Sequence, residues 1–154
     1  MKKNSEKAFY WALHRLESNP DIGKMQAYSQ HRGNRTFRHS RNVAVSSFRL
    51  AQRLGWRIDE KALATGAMLH DYYLYTFKDE DISAWHHCMT HPGRALENAQ
   101  RIMSLSEREK NIIVSHMWPL TLFAVPKSKE ALLVSLADKY CALREFRGKR
   151  TLPQ

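Results

Sequence analysis

The chain has 154 residues, 43% of them hydrophobic and 26% charged, with four tryptophans; this supports one globular domain with a substantial core and argues against disorder. Lysine and arginine number 25 against 15 acidic residues, a formal net charge of +10 that favours polyanionic partners. No apolar run approaches the ~20 residues that span a bilayer. The basic start lacks an uninterrupted apolar core and a small-residue cleavage site, so no signal peptide is expected. Cys88 and Cys141 are too few for a disulfide framework, and no CxxC is present. These features predict a cytoplasmic protein without a membrane partner.

In chain order the pattern is helical, and no segment alternates with period two. A first helix is predicted over 4–18, stopped by Asn19-Pro20. The polar, turn-rich stretch 19–36 is predicted as a loop. A second helix covers 37–54 and closes at Gly55, with His39, Val43, Leu50 and Leu54 close to one face. Asp59 is a candidate N-cap for the third. There Leu63, Gly66, Ala67 and His70 follow the i, i+3, i+4, i+7 rule, which puts His70 on the inward stripe.

Pro92 suits a first helical position, so a helix is predicted over 92–103 with His91 just before it. Ser106 to Glu109 reads as a capping box opening another helix, in which Ile112 and Ile113 share the face of His116. That helix stops near Pro119. The last one runs from Ser128 to Gly148. Its stretch ALLVSLADKYCAL is apolar nearly all round, so the carboxylate of Asp138 should be buried and needs a partner or a metal. One all-α bundle of six or seven helices is expected over 1–154, with 1–18 as an accessory helix.

The residues that carry chemistry are His39, His70-Asp71, His91, His116 and Asp138. Each lies on or at the end of a separate predicted helix, apart from the adjacent pair, and a bundle can aim such residues at one point. Imidazole and carboxylate together suit Zn, Mn, Fe or Ni. Burying so many of these groups without ions would leave costly unpaired atoms. Neighbours on a regular helix point about 100° apart, so His70 and Asp71 share an ion only if it sits between them or the helix end loosens.

The order H, HD, H, H, D resembles the HD-domain superfamily of metal-dependent phosphohydrolases over about residues 35–145. The resemblance implies a binuclear site with two divalent ions, Fe or Mn favoured. His39, His70, Asp71 and Asp138 would hold one, and Asp71 would bridge to a second held by His91 and His116. It implies hydrolysis of a phosphoester or phosphoanhydride of a nucleotide-like substrate by a metal-activated water, with His70 and Asp71 central to catalysis. Many such enzymes carry lysine three residues after the aspartate, where this chain has Leu74. The GYP motif of the cyclic-dinucleotide subclass is missing after His116. The layout is more similar to compact symmetrical dinucleoside-tetraphosphate hydrolases.

Arg38, Arg94 and Lys139 are weaker candidates for substrate phosphate. His86 and His87 are expected in a polar loop or at a cavity rim, because Pro92 signals a helix starting. His14 and His31 are expected at the surface, and Cys141 and the tryptophans in packing. The alternative function is a basic nucleic-acid-binding or regulatory module with a structural or degenerate metal site, although the basic residues form neither a stripe nor an aromatic platform. A di-iron oxygen-handling bundle would need paired Glu-x-x-His motifs, and the chain has none.

Overall fold

A computed structural model describes residues 2–28, 35–76 and 81–148. Its elements are α1 (Lys2–Glu17), α2 (Pro20–Gly23), a 3₁₀ turn (Lys24–Ala27), α3 (Thr36–Leu54), α4 (Glu60–Leu69), α5 (Ala84–Ile102), α6 (Glu107–Ser115) and α7 (Lys129–Phe146). The fold is all-α, as the periodicity predicts, and no β-strand occurs among the described residues. No described helix is long and apolar enough to cross a membrane.

The helix ends follow side-chain chemistry. Asp59 accepts from the Ala62 N–H, Ser83 from His86, and Ser128 from Ala131, each satisfying a backbone donor that a helix start leaves open. Ser106 and Glu109 form the reciprocal capping box. Gly55 ends α3 in the left-handed conformation, at φ 65°.

The central element is α4, which packs on α1, α3, α6 and α7. Ala62 to Leu69 are buried without interruption, so apolar side chains fill every side of it. Gly66 lets α6 come close: a Cβ built there would stand 2.5 Å from Ile112 Cγ2. The helix predicted as accessory is part of the core, with Phe9 stacked on Phe48 of α3 at 4.2 Å between ring centres.

Three expectations are corrected. The stretch 19–36 is not loop throughout. Asn19 caps the Asp21 N–H and Pro20 takes the first turn, so the dipeptide that stops α1 also starts α2. The helix predicted over 92–103 begins at Ala84, and Pro92 lies inside it. Proline removes one backbone donor there, but the preceding turn is reinforced by side chains. Thr90 Oγ1 donates to the His86 carbonyl at 2.7 Å and His91 Nδ1 to that of His87 at 2.8 Å. Finally, Trp11 and Trp85 are exposed rather than packed, while Trp56 lies against the core. His14 is exposed, as expected; His31 falls outside the described residues.

Candidate metal centre

The helices bring the six candidate residues to one place. His39 comes from the second turn of α3, while His70 and Asp71 lie at and just past the end of α4. His91 sits inside α5, His116 caps α6, and Asp138 lies in the middle of α7. All six are buried. Two overlapping groups have potential ligand atoms within 4.8 Å of one another: His39, His70, Asp71 and Asp138, and Asp71, His91 and His116.

Asp71 belongs to both, and its two oxygens divide between them. Oδ2 lies 3.3 Å from His70 Nε2 and 3.7 Å from His39 Nε2. Oδ1 lies 3.2 Å from His91 Nε2 and 3.6 Å from His116 Nε2. The chain has left regular helix at this point: α4 ends at Leu69 and residues 70–73 form a turn. That loosening lets adjacent residues converge. Asn98 Nδ2 holds the turn by donating to the carbonyls of Tyr72 and Tyr73. Leu74, at the position where many HD enzymes carry lysine, is left-handed (φ 56°) and packs against the core, so it brings no cation to the centre.

The histidine rings are oriented by their other nitrogen. Nδ1 donates to the Ala67 carbonyl in His70, to that of His87 in His91, and to that of Ile113 in His116, each at 2.7–2.8 Å. A carbonyl can only accept, so each Nδ1 carries hydrogen and Nε2 faces inward, where its lone pair is available once that nitrogen is deprotonated. This outer support is typical of metal-binding imidazoles. His70 Nε2 is buried and makes no well-aligned hydrogen bond among the described residues, its nearest carboxylate oxygen being Asp71 Oδ2 at 3.3 Å. His91 and His116 aim their Nε2 atoms at one another across 2.8 Å. Two lone pairs cannot share that gap unless a proton or a cation stands between them. The donor set therefore fits divalent metal ions, on its own chemistry.

His39 is held differently. Nε2 lies 2.9 Å from Asp138 Oδ1 and Nδ1 lies 2.9 Å from Oε2 of Glu145. Burial alone would lower its pKa, but the bonds to Asp138 and Glu145 outweigh that and raise it to about 9. Burial also disfavours charge on His70, yet Asp71 and Asp138 hold its pKa well above the usual value. Desolvation would raise Asp71 and Asp138, but neighbouring histidines hold both below the ordinary carboxylate range. His116 moves to about 3, through burial and the adjacent His70 and His91.

Glu145 was not selected from the sequence. It lies on α7 seven residues after Asp138, two turns on along the same face, and it is buried. An acidic residue at that spacing in an otherwise apolar stripe is the signal that finds it. Tyr73 is a second addition: it is buried 5.5 Å from the His91 ring, and burial beside Asp71 pushes its phenol up.

The weaker candidates are scattered. Lys139 Nζ donates to the carbonyls of His116 and Ser135 and to Ser135 Oγ, each at 3.0 Å, so its three donors secure the turn behind His116. The Arg94 guanidinium lies over the Tyr75 ring at 4.9 Å. Arg38 lines a surface cleft next to α3. His86 and His87 ride on α5 rather than in a loop, with His86 exposed. His87 meets the Tyr75 hydroxyl at 2.9 Å and stacks on His91.

No curated protein and no solved structure matches the chain. The family model described as "HD domain" matches residues 36–143, a span that opens at the start of α3 and takes in all six candidate ligands. By that match the chain belongs to the HD-domain family.

Proposed function

We propose that the protein is a binuclear metal-dependent phosphohydrolase that cleaves a phosphoester or phosphoanhydride bond of a nucleotide-like substrate. HD-domain proteins are in general metal-dependent phosphohydrolases. The observation that carries the reading here is the division of the Asp71 carboxylate, with one oxygen toward each group of histidines. In this reading His39, His70, Asp71 and Asp138 hold one ion and Asp71, His91 and His116 the other. Nitrogen and oxygen donors without thiolate suit Fe or Mn. Bound ions would polarise phosphoryl oxygens and activate water.

The chain's own contribution is preorganisation. Backbone carbonyls lock three imidazoles with Nε2 inward, Glu145 orients His39, and Lys139 fixes the turn carrying His116. Such support keeps ligands from reorienting during turnover. A dinucleoside polyphosphate is one substrate of this class, on the likeness in ligand order and compact length.

The test is metal analysis of the purified chain with a screen of phosphomonoesters, phosphodiesters and nucleotide anhydrides in Mn or Fe. Turnover that chelator abolishes and metal restores is the expected result. A protein that binds no metal, turns over none of these, and retards RNA in a gel would replace this reading with a nucleic-acid-binding module.

A further inference from the structure

From one turn before His39, α3 and its N-cap carry a second feature. Arg35, Arg38 and Arg41 recur every three residues and, with Phe37 and Gln26, line a cleft of ≈ 430 Å³. No acidic residue is among the lining. Two of the arginines are braced, one from within the lining and one from outside it. Arg35 donates to the Gln26 carbonyl, and Arg41 Nε bonds Glu17 Oε1 at 2.5 Å. Such bracing lowers the entropy lost when a guanidinium grips an anion.

The cleft and the centre share α3. Arg35 precedes His39 by four residues, about 6 Å of helix rise, and Arg38 is its neighbour in sequence. Thr36, which opens α3, hydrogen-bonds both the Tyr28 carbonyl and Tyr73, whose ring stands beside His91. Arg35, one turn before His39 and on nearly the same face, is the arginine that phosphates reaching from the centre would meet first, with Arg38 and Arg41 about 100° and 160° round the helix from His39.

We propose that this cleft is a polyphosphate subsite, which takes the phosphate next to the scissile one in a substrate with at least two linked phosphoryl groups. The assignment rests on the hydrolase reading for its purpose, but not for its chemistry. Guanidinium forks match phosphate oxygens in pairs. Phe37 offers an apolar wall for a ribose or base beyond them.

The probe is methylenediphosphonate, a pyrophosphate analogue that resists hydrolysis, titrated calorimetrically into the full chain as purified. The triple variant R35Q/R38Q/R41Q should bind it at least about tenfold more weakly. A charge-matched control, R53Q/R57Q/R101Q, changes three exposed arginines elsewhere and should stay within about twofold of wild type. Should the triple variant not fold, the single R38Q should weaken binding by about threefold. Cleft variants that bind like wild type, or a control that weakens as much as the triple variant, would overturn the subsite. Turnover of p-nitrophenyl phosphate separates the two proposals. Turnover with undisturbed binding in the cleft variant removes the subsite alone; lost binding in a protein without turnover removes the hydrolase alone.

Discussion

His91 Nε2 and His116 Nε2 lie 2.8 Å apart while both Nδ1 atoms are occupied by backbone carbonyls. A cation held by the two would remove the clash of lone pairs and link α5 to α6. Metal should therefore stabilise the fold as well as serve the site. Ligand at about a hundred times its Kd adds about 2.7 kcal/mol, which for a chain of this size is roughly 5–10 °C in Tm. Chelation followed by differential scanning calorimetry should show that drop. An unchanged melting curve would mean that this pair holds no ion.

The contact of Glu145 with His39 Nδ1 predicts an effect on metal affinity from a residue that is not itself a ligand. Glu145→Gln keeps an acceptor for Nδ1 but removes the negative charge that raises the basicity of the imidazole. Loss of such an outer partner typically weakens metal binding 10–100-fold, and competition against a chelator would read it. Wild-type affinity in Glu145→Gln would show that the carboxylate only fills space.

The metal-free protein should bind ions more tightly as pH rises. His39 has a folded pKa of about 9 against an ordinary 6.5. Its stabilisation is therefore present below pH 6.5 and lost as pH rises through 9. His116 shifts the opposite way, to about 3, so its contribution falls as pH drops from 6.5 toward 3. The chelated protein should thus be most stable near pH 6.5. Metal must displace the His39 proton, and the His70 proton that Asp71 and Asp138 also hold, so apparent affinity should rise by at least about tenfold per pH unit up to 9. Calorimetric titration of Mn at several pH values checks both slope and sign; an affinity independent of pH between 6.5 and 9 contradicts the protonation of His39.

Gly66 predicts a packing failure remote from the ligands. Gly66→Ala places a methyl group 2.5 Å from Ile112 Cγ2, which forces α4 and α6 apart. Overpacking of this kind costs about 1–3 kcal/mol, enough to lower the urea midpoint visibly. His70 and His116 end these same two helices, so metal affinity should fall with stability. A variant as stable as wild type would show that the interface yields without cost.

The candidate centre was largely legible in the sequence, and for a physical reason. Histidine and aspartate on otherwise apolar faces violate the usual partition of polar groups, and His70, His116 and Asp138 stood out against Ala67, Ile113 and Val134. Helix ends were readable where a side chain caps, at Asp59, Ser106 and Ser128. The start of α5 was not, because Pro92 carries an N-terminal signal that Thr90 and His91 side chains override locally. Glu145 was hidden because a charged residue near a helix end normally reads as solvated surface. The convergence of His70 and Asp71 depends on the turn after Leu69, which no periodicity encodes.

The central claim is that Asp71 joins two ion sites, and metal stoichiometry tests it most directly. Wild-type protein should carry roughly two ions per chain, measured by plasma mass spectrometry after reconstitution with Mn or Fe and desalting. Asp71→Asn should fold with the same helical content yet retain less than about one, because it removes charge from both groups at once. Two full equivalents in the folded Asp71→Asn protein would contradict the account.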